Sequence, residues 1–189
     1  MSPPAIEIQT LTVVAARRRL LDVEQLQIPT GEIVAVMGRN GAGKTTLLRA
    51  CLGFLKSAHG TVRVLGSDVP QLSAGALAQL RCRIGYVPQL LPARSEMPLT
   101  VREVVAIGRT GLAGLFHPLS QEDWRLVDEW IARLGLASLA HRAFSEISGG
   151  EQRKTIIARA MAQQPELLIL DEPTANLDLG WRERIVATI

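Results

Sequence analysis

The eight residues Gly38-Arg39-Asn40-Gly41-Ala42-Gly43-Lys44-Thr45 constrain this chain more than any other feature. They fit G-x-x-x-x-G-K-[ST] at every fixed position, a pattern whose glycines let successive backbone N–H groups curl inward around an anion. The pattern needs a strand before it and a helix after it. Ile33-Val34-Ala35-Val36-Met37 is nearly continuously apolar, as strands buried on both faces of a parallel sheet are. Lys44–Leu52 has helical character, and a helix N-terminus adds its partial positive charge to such a site. Lys44 could then reach the β- and γ-phosphates of a nucleotide, and the Thr45 hydroxyl could join a Mg²⁺ shell. A Gly-rich turn that merely joins strand to helix would not need all of these residues together.

The rest of the chain agrees with an α/β fold. Strand-like apolar runs occur at Glu7–Val14, Glu32–Met37, Thr61–Leu65, Arg83–Val87 and Leu167–Leu170, with segments of helical spacing between several of them. Residues Thr100–Ile147 carry helices without strands and read as a helical insert, about 95–147 at its widest. Thr100 and Glu103 have the spacing of a capping box for a helix to about Ile107, and Thr110–Ser120, with Gly111, Gly114 and Pro118, reads as a loop. Trp124, Val127, Ile131 and Leu134 form one apolar stripe, closed by Gly135 as a C-cap.

Composition limits the partners. The 189 residues suit one domain, and 47% hydrophobic with 21% charged residues excludes a disordered chain. Lysines and arginines number 21 against 18 acidic residues, a net charge of only +3. Arg17-Arg18-Arg19 has no aromatic residue interleaved and sits beside an expected hairpin, so a single-strand nucleic-acid platform has no support. No apolar run approaches the roughly 18 residues of a membrane span, Met1–Ile8 lacks the pattern of a leader, and Cys51 and Cys82 are too few for a disulfide framework. These observations set the expectation of a soluble cytosolic protein. His59, His117 and His141 are widely spaced and read as surface or packing residues.

Two further segments carry chemistry. Leu167-Leu168-Ile169-Leu170 ends in Asp171 and Glu172, at the carboxyl end of an expected buried strand, where open α/β sheets place their ligands. There Asp171 can hold Mg²⁺ through water, and Glu172 can polarise a water attacking the γ-phosphate. Ser148-Gly149-Gly150-Glu151 opens a helical segment, Gln152–Gln163, with Ser148 as N-cap and Glu151 completing a capping box. A cap does not require two consecutive glycines, each of which costs about 0.5–1 kcal/mol relative to Ala inside a helix. Their expected use is to let a second anion approach a helix N-terminus closely.

Together these segments resemble the nucleotide-binding subunit of an ATP-binding cassette (ABC) transporter, over essentially the whole chain from about Ile6 to Ile189. The resemblance implies a P-loop NTPase core, a mostly parallel sheet flanked by helices, with an N-terminal antiparallel β subdomain and the helical insert. In that family Gly38–Thr45 is the Walker A loop, continued by Thr46 as a further nucleotide contact, and Leu167–Asp171 is the Walker B strand. Ser148–Glu151 with Gln152 is the family signature, with Ile147 where Leu is commoner. Gln89, in Tyr86-Val87-Pro88-Gln89, matches the glutamine that contacts Mg²⁺ and faces the membrane subunits, and Asn176-Leu177-Asp178 matches the D-loop.

The resemblance implies ATP and Mg²⁺ as cofactors, with Gly38, Arg39, Asn40, Gly41, Ala42, Gly43, Lys44, Thr45 and Thr46 on one nucleotide. Ser148, Gly149, Gly150 and Glu151 would contact the nucleotide held by a second copy packed head to tail, and Asp178 is a further nucleotide-binding residue. Glu172, Lys44 and Gln89 would carry hydrolysis, and Thr45, Gln89 and Asp171 would hold the metal. The implied partners are permease subunits spanning a membrane, a second nucleotide-binding subunit and an extracytoplasmic substrate-binding protein, with the chain peripheral on the inner face of the membrane. Val101-Arg102-Glu103-Val104-Val105-Ala106-Ile107-Gly108-Arg109 and Thr174–Leu179 are similar to segments of cassettes that import metal ions or metal chelates. A soluble ABC ATPase of the Fe–S assembly or DNA repair type is the alternative, and a nucleotide-binding module with little hydrolysis is another.

Two departures qualify the resemblance. The family stacks adenine on an aromatic residue ahead of Walker A, whereas Val13–Arg19 contains none, leaving an arginine of 17–19 as a candidate stacking partner. No histidine follows His141, so the family's switch histidine has no counterpart, and the fold is expected to lack its C-terminal part. On that expectation the chain binds MgATP, turns it over poorly and aggregates readily.

Overall fold

Alternating apolar and polar residues make the first strands. The computed structural model describes residues 3–15, 18–55, 59–89, 99–114 and 116–171, apart from the side chains of residues 15 and 18. The chain divides into two compact units, Met1–Arg81 and Cys82–Ile189. In the first, strands β1 (Ile6–Ala15) and β2 (Arg18–Ile28) form a long antiparallel hairpin with Ile6 opposite Ile28 and Val13 opposite Leu21. Strand β3 (His59–Val64) pairs with the other edge of β1, and β4 (Ser67–Asp68) follows it, giving an antiparallel order β2-β1-β3-β4.

The hairpin changes phase in its middle. Ile6 and Ile8 are buried, and so are Leu11 and Val13, which strict alternation would put on the opposite face. Thr10, at φ +47°, turns the pleat over between the two pairs. The partner strand turns with it: Leu21 and Val23 are partly covered, Glu24 and Gln25 exposed, then Leu26 and Ile28 partly covered again. From Ile6 to Val13 the two strands therefore keep one register while presenting apolar residues to one side, and the register shifts by one residue only between Val13 and Val14. Against β3 the irregularity shows as a one-residue shift between Gln9 and Thr12.

Helix α1 (Lys44–Cys51) lies against β2 and β3 and buries Leu47, Ala50 and Cys51. Helix α2 (Ala74–Cys82) returns Arg81, which donates from Nε to the Leu52 carbonyl (2.9 Å) and from Nη2 to that of Gly53 (3.1 Å), covering carbonyls at the end of α1.

One expected strand is not there. Residues 32–39 have no regular structure, and Ile33 and Met37 are 79% and 90% exposed. Continuous apolar character gives a strand only when neighbours pair both its edges and cover both its faces, and no strand of the first unit pairs with this segment.

The second unit holds the parallel pair β5 (Ile84–Val87) and β6 (Leu167–Leu170), in register from Ile84 opposite Leu167 to Val87 opposite Leu170. Three helices, α3 (Val101–Ala113), α4 (Gln121–Arg133) and α5 (Gly149–Ala162), enclose a core that includes Val101, Val105, Val127, Leu136 and Ile157. All three start with a reciprocal capping box, from Thr100 and Glu103, Ser120 and Asp123, and Ser148 and Glu151. The apolar stripe of α4 is buried at Val127, Ile131 and Leu134. Gly135 closes it at φ +68°, its N–H donating to Ala132 (3.0 Å) while that of Leu136 reaches Ile131 (2.9 Å), the Schellman pattern.

Helix α3 runs six residues past the expected Ile107, so Thr110–Ala113 is helix where the glycines had suggested a loop. Its glycines serve close packing: a Cβ on Gly108 would lie 2.2 Å from the Arg159 carbonyl oxygen of α5, and one on Gly111 would lie 2.9 Å from Cys82 Sγ. Among the described residues no helix is long and apolar enough to cross a membrane.

Candidate active site

The loop is exposed over 38–42 and leads into α1 through the half-buried Gly43, whose φ of +91° belongs to the left-handed region glycine favours. A Cβ there would sit 3.0 Å from Leu21 Cδ1 and 3.1 Å from the Leu20 carbonyl oxygen, so β2 backs the end of the loop closely. The Ala42 N–H donates to the Arg39 carbonyl (3.1 Å) and tightens the turn. Lys44 curls back over the loop, its Nζ donating to the carbonyls of Gly38 (2.8 Å) and Arg39 (3.1 Å).

A helix start leaves its first N–H groups without intrahelical acceptors. At α1 no side chain caps them and no acidic residue lies in the first turn, while Lys44, Thr45 and Thr46 are all half-buried there. A Cβ on Gly41 would meet nothing within 4 Å among the described residues. An ammonium at a helix start that no side chain caps, in a loop without negative charge, fits a polyanion such as a nucleotide phosphate chain.

In the second unit the structure brings two of the expected metal-holding residues to one edge. Val87 and Leu170 are paired at the carboxyl ends of β5 and β6, so Asp171 follows its strand directly and Gln89 comes two residues after its own, both at the same edge of the pair. The Asp171 N–H donates to the Val87 carbonyl (2.9 Å), and Asp171 is 2% exposed whereas Gln89 is exposed. Carboxylate and amide oxygens suit a hard divalent cation such as Mg²⁺. Thr45 belongs to the first unit.

Arg153 of α5 was not singled out in the sequence, yet it is 3% exposed and joins this edge. Its Nη1 donates to the Pro88 carbonyl and its Nη2 to the Asp171 carbonyl (3.2 Å). The sequence did hold a signal: Arg153 shares a helix face with Ile156, Ile157 and Ala160, all buried, and a charge on a buried face needs a specific use.

At the start of α5, the Ser148 N–H (2.8 Å) and hydroxyl (2.7 Å) donate to Glu151 Oε2, and the Glu151 N–H points back to Ser148 Oγ (3.4 Å). The Ser148 hydroxyl and N–H hold the Glu151 carboxyl below the usual glutamate range. A Cβ on Gly149 or Gly150 would meet nothing within 4 Å, so among the described residues packing does not call for glycine at either position. Of the candidate arginines before the loop, Arg19 is paired with Asp22 (2.5 Å) in β2, and Arg17 and the Arg18 side chain lie outside the described residues. Glu172, Asp178, the D-loop and the helix expected over Gly180–Ile189 also lie outside them.

Comparison with known proteins gives these features a setting. The family model described as "ABC transporter" matches residues 21–175. The cobalamin import ATP-binding protein BtuD of Halobacterium salinarum is 40% identical over 184 residues, 97% of this chain and 44% of that protein. The manganese transport system ATP-binding protein MntB of Bacillus subtilis is 32% identical over 184 residues, 97% of this chain and 70% of that one. The chain thus spans less than half the length of its cobalamin-import relative. Among solved structures, the dimeric post-hydrolysis state of the ATP-binding cassette MJ0796 bound to ADP and Pi superposes with a TM-score of 0.83 at 27% identity, over 96% of this chain and 80% of that one.

Proposed function

The chain belongs to the ABC transporter family, and from that premise we propose that it binds and hydrolyses ATP to power the import of a metal ion or metal chelate. The observation that carries the nucleotide part is the start of α1, which no side chain caps and where Lys44 lies across a glycine loop. Lys44 has two carbonyl acceptors to exchange for phosphate oxygens, and a charge-assisted bond to phosphate is roughly twice as strong as a neutral one. Residues Gly38 to Thr46 hold the phosphates through backbone N–H groups and the Thr45 and Thr46 hydroxyls.

Thr45, Gln89 and Asp171 are the residues that would hold Mg²⁺, which would supply charge neutralisation on the phosphates. Glu172, next to Asp171, accepts a proton from the attacking water. The start of α5, with Ser148 and the open backbone at Gly149 and Gly150, receives the γ-phosphate of a nucleotide bound to a second copy, and Asp178 is a further nucleotide-binding residue. Nucleotide then favours the closed pair of subunits by its differential affinity for that state. One ABC domain over residues 1–189, with the helices of about 95–147 as its insert, faces the permease. An extracytoplasmic binding protein delivers cargo to that permease, and the cassette itself stays peripheral on the inner membrane face. The names of the cobalamin import and manganese transport relatives support this cargo class, and the first of them supports import.

The test uses light scattering and phosphate release. Glu172→Gln is expected to form an MgATP-dependent dimer, and Lys44→Ala to weaken ATP binding by about 100-fold, the loss of a charged hydrogen-bond partner. No ATP-dependent dimer in the first variant would sink the nucleotide-sandwich reading. For transport, the chain should co-purify with a multi-span membrane protein, and disrupting it should stop cellular uptake of cobalamin or of a divalent metal.

A further inference from the structure

Arg153 is a buried cation that none of the chemistry above employs. It sits five residues after Ser148, about 7.5 Å along α5 at the standard rise. Its two terminal nitrogens donate to two carbonyls, Pro88 and Asp171, which terminate neighbouring parallel strands. Between those strands the Asp171 N–H already reaches the Val87 carbonyl (2.9 Å). The guanidinium therefore spans the carboxyl edge of the pair from the helix side. Gln89 is the next residue after one of its acceptors, and Asp171 is itself the other.

The energetics argue for a purpose beyond filling space. Burying a guanidinium carries a desolvation penalty of several kcal/mol, and an apolar residue of similar volume is often no less stabilising. Desolvation pulls the Arg153 pKa below the ordinary guanidinium value, while the nearby Asp171 and Tyr86 pull it back up. What Arg offers that Met or Leu cannot is a planar fork that holds two acceptors at a set spacing. Lysine cannot replace it, because one ammonium is a point donor.

We propose that Arg153 is a positioning residue that makes the start of α5 and the Gln89–Asp171 edge move as one piece. A phosphate received at Ser148–Gly150 then sets the residues that hold the metal. The proposal rests on the nucleotide reading above. In a head-to-tail pair the phosphate at α5 belongs to the partner's nucleotide, whereas Gln89 and Asp171 serve the chain's own. Arg153 therefore links the two nucleotide sites.

The experiment compares the full chain with Arg153→Lys and Arg153→Gln. Hydrogen exchange is followed over residues 84–89, 148–153 and 167–171, with and without MgATP in the Glu172→Gln background. With Arg153 in place, MgATP is expected to slow exchange in all three segments. In both Arg153 variants residues 148–153 remain protected, and the other two segments lose about tenfold of their protection, within the range of typical coupling energies. In the chain with Glu172 intact, either substitution should lower the Hill coefficient for MgATP turnover toward one. It should also raise half-maximal Mg²⁺ about tenfold, with binding of Mg²⁺-free ATP unchanged. Protection and Mg²⁺ dependence like those of the unsubstituted chain in both variants would overturn the proposal. So would failure of both variants to fold by circular dichroism, which would make Arg153 a core strut. Absence of any ATP-dependent protection with Arg153 in place would instead refute the nucleotide reading on which the proposal stands.

Discussion

Arg109 ties α3 to two further helices with one side chain. Its Nε donates to Asp123 Oδ1 (2.8 Å) in the first turn of α4, and its Nη1 donates to the Ala162 carbonyl (3.1 Å) and to Gln164 Oε1 (3.3 Å) at the end of α5. Both side chains of the Arg109–Asp123 pair are only 12% exposed. Removing one partner leaves a nearly buried charge without its counterion, so Arg109→Ala is expected to cost about 3 kcal/mol in urea unfolding. The Ser120 hydroxyl, then Arg109, then the Ser120 N–H hold the Asp123 carboxyl down to about 2. A depressed carboxyl contributes stability that is complete above its unfolded value near 4 and is lost as pH falls toward 2. Unfolding midpoints measured from pH 5 to pH 2 should fall for the parent chain, and Asp123→Asn should flatten that fall.

At the scale of elements, α3 and α5 approach so closely that Gly108 touches the backbone of Arg159. Gly108→Ala requires the helices to separate, because a Cβ would lie 2.2 Å from a carbonyl oxygen that cannot rotate away. The expected loss is about 1–3 kcal/mol, typical of overpacking, measured as a lower midpoint in thermal unfolding. Gly150→Ala is a contrasting case, since its Cβ would enter open space and Ala favours the helix. It should leave the midpoint unchanged or raised while weakening MgATP-dependent dimerisation of the Glu172→Gln chain. The capping boxes at Thr100 and Ser148 were legible because their partners are three residues apart in the sequence. The length of α3 was not, because Gly111 marks a loop locally but meets Cys82, 29 positions away, in the folded chain.

Across the whole molecule, the two cysteines report on each unit by itself. Cys51 is 1% exposed on α1, and burial pushes its thiol up to about 12, whereas Cys82 is half-buried. A thiol reagent at neutral pH should modify Cys82 first and Cys51 only as the first unit opens, as read from peptide masses. The sequence by itself determined everything whose cause is local. It placed the glycine loop and its lysine, the capped start of α5, the acidic end of β6 and, through their order, the family. It also implied a strand over Glu32–Met37, but strand formation depends on partners along both edges, and in the first unit the segment is exposed and irregular. Only the tertiary structure decided that the hairpin reverses its pleat at Thr10, that Gly108 lets two helices touch, and that Arg153 ties α5 to two strand ends. Each of these depends on an atom distant in the chain, and local pattern carries no record of which distant atom that will be.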